Sequence, residues 1–166
     1  DYRSVMPTNL YGPGDNFHSQ NSHVLPSLLR RFHVAKLAKN EEVVVWGSGS
    51  PKREFLYVDD LASASWFLMN LSEELYYEKV KPLQSHFNVG SRKDLSIREL
   101  AEFISQIVGF DGRIVFDKTK PDGSHRKLMD SKLLYDLGWQ PKTNLKSGLK
   151  KTYSWFLKNE RKLCKD

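Results

Sequence analysis

Cysteine is nearly missing from this sequence: Cys164 is the only one in 166 residues. A lone thiol excludes a disulfide framework and a cysteine-based zinc site, and it fits a reducing compartment such as the cytoplasm. Long apolar runs are missing as well. No stretch of about 20 apolar residues exists, which excludes a membrane-spanning helix, and the mean hydropathy is −0.56. The catalytic signatures HExxH and CxxC do not occur, nor does a phosphate loop ending in Gly-Lys-Ser/Thr. Gly47-Ser48-Gly49 starts like a dinucleotide fingerprint, but the third glycine would fall at Lys52, so the segment reads as a glycine turn after a strand. An acidic excess is lacking too: 26 Lys and Arg against 20 Asp and Glu leave a net charge of +6.

What is present suffices for a folded domain. Hydrophobic residues make up 39% of the chain, too many for a disordered tail. Short strands are expected at 2–7, 42–46, 53–58, 86–90 and 113–117. A helix follows Asn21 or Ser22, with Pro26 in its first turn and Leu25, Leu28, Leu29, Phe32 and Ala35 on one face. Asp59 or Asp60 is expected to cap a second helix. Ser96-Ile97-Arg98-Glu99 is a capping box, and Gly109 ends the helix behind it. Another helix runs from Leu145 to Lys158. Residues 8–23 and 118–127 read as loops, and 73–84 as a charged linker. Strands alternating with helices give an α/β class, yet the strands are few and would make a thin sheet.

Few side chains point to chemistry. His18 and His23 with Asp15 make a weak metal pattern, and no metal is expected. His23, at a helix start, suits an acid or donor, in competition with a plain capping role. Arg31 and Arg53 have the planar fork that clamps phosphate, and Trp46 offers a flat apolar face unless it is simply core. Tyr77-x-x-x-Lys81 would pair a phenol and an ammonium on a helix, but the following proline biases Lys81 away from helix. The basic residues are dispersed rather than gathered on one helix face, which argues against nucleic acid.

Longer motifs carry a resemblance. Met6-Pro7-Thr8-Asn9-Leu10-Tyr11-Gly12-Pro13, Asp15-Asn16-Phe17 and Ser22-His23-Val24-Leu25-Pro26 resemble the extended short-chain dehydrogenase/reductase family. So do Val45-Trp46-Gly47-Ser48-Gly49, Arg53-Glu54-Phe55, Val58-Asp59-Asp60, Phe87-Asn88-Val89-Gly90, Lys120-Pro121-Asp122-Gly123 and Gly138-Trp139-x-Pro141. The resemblance covers residues 1–158, and Asn21-Ser22-His23-Val24 with Arg30-Arg31 is similar to members that take GDP-sugars. It implies NADP as cofactor, a GDP-sugar substrate, a homodimeric parent, and epimerisation plus reduction of a ketosugar.

By the same resemblance, Pro7, Thr8, Asn9 and Leu10 meet the nicotinamide end of the cofactor. His23 lies between nicotinamide and sugar as the epimerisation acid. Arg31, Trp46, Arg53, Asp122 and Lys127 bind substrate. The family's Gly-x-x-Gly-x-x-Gly turn, its Ser and helical Tyr-x-x-x-Lys, and its basic Cys precede the Pro-Thr-Asn-Leu loop. Tyr77, Lys81 and Cys164 follow that loop and do not match them. The expectation is therefore a longer parent. Residues 1–166 would be its C-terminal substrate-binding part plus the last strands of its Rossmann-type sheet. Strand edges would be exposed, and the isolated piece would be inactive.

Overall fold

The computed structural model describes residues 1–81 and 83–163; Pro82 in the expected linker and Cys164 lie outside them. The strands are β1 (Ser4–Pro7), β2 (Asn9–Tyr11), β3 (Glu42–Trp46), β4 (Lys52–Tyr57), β5 (His86–Val89), β6 (Asp94–Ser96), β7 (Arg113–Asp117) and β8 (Arg126–Lys127). The helices are α1 (Val24–Leu37), α2 (Val58–Met69), α3 (Glu73–Lys79), α4 (Ile97–Val108), α5 (Lys132–Asp136) and α6 (Leu145–Leu163).

Parallel pairing dominates, as the α/β reading requires. β1 runs parallel to β5, β2 to the second half of β4, and β3 to β7. The first half of β4 is flanked by antiparallel β6 and parallel β8, which sets Arg53 opposite Leu95 on one side and Lys127 on the other. Among the described residues β1 pairs with β5 alone. Met6 of β1 and Tyr2 just before the strand have exposed side chains.

Two apolar cores hold these elements. The first joins Leu25, Leu28, Leu29 and Phe32 of α1 to Leu100, Ile104 and Val108 of α4 and to Leu149 and Phe156 of α6. The second gathers Leu56, Leu68, Tyr76, Phe87, Leu134 and Trp139. Each such side chain, fully buried, contributes about 1.5–3 kcal/mol. The capping box is formed: Ser96 Oγ accepts the Glu99 N–H at 3.1 Å, and Glu99 Oε2 accepts the Ser96 N–H at 2.7 Å. Gly109 ends α4 in the left-handed region, with φ +72°.

Several expectations need correction. The loop at 8–23 contains β2, and the loop at 118–127 ends in β8. β6 went unread because three residues give no periodicity. The linker at 73–84 contains α3, whose N-cap Ser72 accepts the Leu75 N–H and whose buried anchor is Tyr76. Neither Asn21 nor Ser22 caps α1, where His23 is the N-cap, and Tyr57 rather than an aspartate caps α2. Asp60 is buried in the first turn of α2. Its two oxygens accept the N–H groups of Lys142 and Thr143, each at 3.0 Å, and so tie the approach to α6 onto α2.

Candidate active site

Two hollows adjoin where the start of α1 faces β4 and β8. A cavity of about 840 Å³ is bordered by Arg31, Trp46, Arg53 and Asp122. A second, of about 900 Å³, is bordered by Pro7, Thr8, Asn9, Leu10, His23 and Lys127. Arg53 and Val24 border both, so the ten residues singled out from the sequence converge on one continuous region.

Local structure explains how each side chain arrives there. β1 runs through Pro7 into Thr8 and β2, and both polar side chains turn to one acceptor: Thr8 Oγ1 at 3.3 Å and Asn9 Nδ2 at 2.8 Å donate to the Glu54 carbonyl. The rest of that wall is largely apolar, with Leu25, Pro26, Phe55 and Leu128. Arg31 lies two turns into α1 and donates to the Val44 carbonyl. Burial pulls its guanidinium below its ordinary pKa. Arg53 Nη1 donates to the carbonyls of Lys52 at 2.7 Å and Ser124 at 2.6 Å, which anchors the late loop to β4.

Trp46 is not core. It is 67% exposed at the end of β3, with Lys120 Nζ 5.8 Å from its ring centroid. Asp122 spends its carboxylate inward, on the N–H (2.8 Å) and hydroxyl (2.6 Å) of Ser48. His23 is exposed at the mouth of the second cavity and makes no side-chain capping bond. His18 is engaged in its loop: its Nδ1 accepts the N–H groups of Gln20 and Asn21, at 3.1 and 3.2 Å. Tyr77 is exposed on α3, whereas Lys81 lies beyond the helix end and bridges to Gln84. The two therefore do not share a helix face.

Two supports of this region have no such role in the sequence reading, where Asp15 figures only in a weak metal pattern and a motif, and Glu54 only within a motif. Asp15 borders the second cavity, and its pKa is raised by burial. Glu54 is fully buried and accepts the N–H groups of Arg92 (2.7 Å) and Met129 (3.0 Å). A carboxylate next to Phe55-Leu56-Tyr57 in a strand was the available signal for Glu54, since burial of a charge requires such partners.

Largely parallel strands alternating with helices, with hollows bordered by Arg31, Arg53 and Lys127, are an arrangement shared with α/β proteins that take ligands at their strand ends. The chain belongs to the NAD dependent epimerase/dehydratase family, whose model matches residues 1–90. It is 58% identical over 160 residues to the GDP-L-fucose synthase of Escherichia coli strain K12, covering 96% of this chain and 50% of that protein. It is 57% identical over 159 residues to GDP-L-fucose synthase 1 of Arabidopsis thaliana, covering 96% and 46%. Among solved structures, a GDP-L-fucose synthetase from Naegleria fowleri bound to NADP aligns with TM-score 0.82 and 32% identity, over 96% of this chain and 47% of that one. A GDP-6-OMe-4-keto-L-xylo-heptose reductase from C. jejuni aligns with TM-score 0.85 and 34% identity, over 95% and 54%. The chain spans about half the length of the curated relatives it matches.

Proposed function

We propose that this chain is the GDP-sugar-binding part of an NADP-dependent 3,5-epimerase and 4-reductase that converts GDP-4-keto-6-deoxymannose to GDP-L-fucose. One observation carries the reading. Arg53 and Lys127 are direct register partners on neighbouring strands, and Arg31 borders the same region from α1. Like charges facing one another across a sheet are unfavourable on their own. A diphosphate held between Arg31 and Arg53, beside that pair, turns the cost into binding, with arginine forks suited to phosphate oxygens. Trp46 gives the nucleoside a flat exposed face, and the sugar extends past Arg53 toward His23.

The 4-keto group makes the C3 and C5 protons of the sugar acidic. His23 returns a proton at these carbons, a step for which a placed acid contributes roughly 10²–10⁴ in rate. Holding the diphosphate at Arg31 and Arg53 uses binding energy remote from the ring to orient that carbon. The wall of Pro7, Leu10, Leu25 and Phe55 fits the flat, half-apolar nicotinamide end of the cofactor. When bound, the reduced cofactor supplies the hydride for C4. The parent is proposed to be a homodimer that carries the cofactor's pyrophosphate site in its other half. Alone, the chain binds ligand without turnover, in keeping with the separation of Tyr77 from Lys81.

The sugar is the less constrained element. A GDP-L-colitose synthase from Yersinia pseudotuberculosis is 38% identical over 160 residues, so GDP is what the named relatives share. Titration calorimetry of the chain with GDP, UDP and dTDP tests the reading. Binding selective for GDP, strengthened by a 6-deoxysugar and unaccompanied by NADPH consumption, is expected. Equal affinity for all three nucleotides would contradict it.

A further inference from the structure

Among the described residues three side-chain polar atoms are buried without a hydrogen-bond partner: Asp15 Oδ2, Ser22 Oγ and Ser131 Oγ. Two of them belong to the loop that delivers His23. An unmet buried acceptor costs about 1–3 kcal/mol, so it calls for an explanation, and function is one.

The loop is not slack. The Asp15 N–H donates to the Gly12 carbonyl at 3.3 Å, Asn16 Nδ2 to the Asn21 carbonyl at 2.9 Å, and the His18 N–H to Asn16 Oδ1 at 3.0 Å. Phe17 is buried, its ring 4.9 Å from that of Phe156. Asp15 is therefore fixed, with Oδ1 accepting the Asn16 N–H at 2.8 Å and Oδ2 left over. Asp15 and His23 border the same cavity, and a charge on His23 acts on the Asp15 carboxyl against the effect of burial. Oδ2 is closed to solvent, so a donor from the protein meets it more readily than one from a ligand. The His23 side chain makes no capping bond to α1 and borders the same cavity as Asp15, so it is the candidate donor.

We propose that Asp15 is a positioning residue for His23: Oδ2 accepts one imidazole N–H, which leaves the other ring nitrogen facing the sugar. The inference rests on the reading of His23 given above. As imidazolium, His23 keeps the N–H held by Asp15 and gives the other proton to the enolate carbon of the sugar. The enolate oxygen re-forms the ketone, and the ring is left neutral with its remaining proton on the Asp15 side. A fixed tautomer of this kind is what an acceptor behind a histidine secures.

Long-range ¹H–¹⁵N spectra of His23 in the full chain test this, recorded with GDP-L-fucose bound and the ring neutral. Wild type is expected to show one tautomer, with its N–H shifted downfield by the hydrogen bond. Asp15→Asn is expected to show mixed tautomers while GDP affinity stays within about twofold of wild type, because GDP occupies the other cavity. Unchanged spectra in the variant would overturn the proposal. Should the variant lose GDP binding through misfolding, the wild-type spectrum decides alone, and mixed tautomers there overturn it. Failure of wild type to bind GDP-L-fucose would instead remove the functional reading on which the proposal stands.

Discussion

Asp122 clamps Ser48 across 74 residues of chain, accepting its amide N–H at 2.8 Å and its hydroxyl at 2.6 Å. The clamp fixes the turn behind Trp46. It also explains Gly47, which has φ +83° and where a Cβ would meet Asp122 Oδ1 at 2.3 Å. The sequence resemblance implies that Asp122 binds substrate, in a late loop that approaches the GDP-sugar. The structure places its carboxylate on the protein, at the rim of the first cavity.

The two bonds from Ser48 hold the Asp122 carboxyl below its ordinary pKa of 3.8. A carboxyl depressed in the folded state contributes fully above its ordinary value and loses that contribution as pH falls through the folded value. The Ser48 amide resonance is therefore expected to stay constant from neutral pH down to about the ordinary carboxyl value, then shift on further acidification. Asp122→Asn should abolish this titration and weaken GDP binding severalfold. A Ser48 amide that titrates identically in the variant would show that the clamp does not form.

Arginine geometry carries the phosphate site. Replacing Arg53 by Lys keeps the charge but removes the fork and the bond to the Ser124 carbonyl. A hydrogen bond to a charged group is worth about 1.5–3 kcal/mol, so Arg53→Lys should raise the dissociation constant for GDP roughly 10–150-fold. Arg31→Lys should behave similarly. Calorimetry measures both, and a change below twofold in each would move the diphosphate elsewhere.

Glu54 is the hidden support of the same strand. Its side chain receives the Arg92 and Met129 N–H groups, and the Ser91 hydroxyl at 3.4 Å, while a Cβ on Gly90 would meet Oε1 at 2.4 Å. Glu54→Ala leaves these part-buried donors without their acceptor and should cost about 1–3 kcal/mol for each one that water cannot reach, read by denaturant unfolding. Glu54→Gln, which sets an amide NH₂ against one of the N–H groups, should cost less. Wild-type stability in both variants would contradict the assigned role.

Elements with strong local signals were legible. The capping box at Ser96, the stop at Gly109, the apolar stripe of α1 and the strands at 42–46 and 113–117 depend on neighbours in sequence, and each stands where the sequence places it. α3 was hidden because only Tyr76 of its seven residues is buried, which leaves no stripe to read. β2, β6 and β8 are two or three residues long and, among the described residues, pair only with β4. Asp60 looked like a helix cap because the partners of its carboxylate lie 82 and 83 residues away. The site itself was legible through the resemblance rather than through periodicity. Asp15 stands out only as part of a weak metal pattern because its unmet oxygen becomes visible only once the chain has folded, whereas Glu54 carries a signal in the apolar run beside it.

A structure of the chain with GDP-L-fucose bound tests the central claim most directly. The diphosphate is expected between Arg31 and Arg53, the guanosine against Trp46, and the fucose within hydrogen-bond reach of His23. Density for the sugar nucleotide outside these two hollows, or spanning them with the sugar remote from His23, would contradict it.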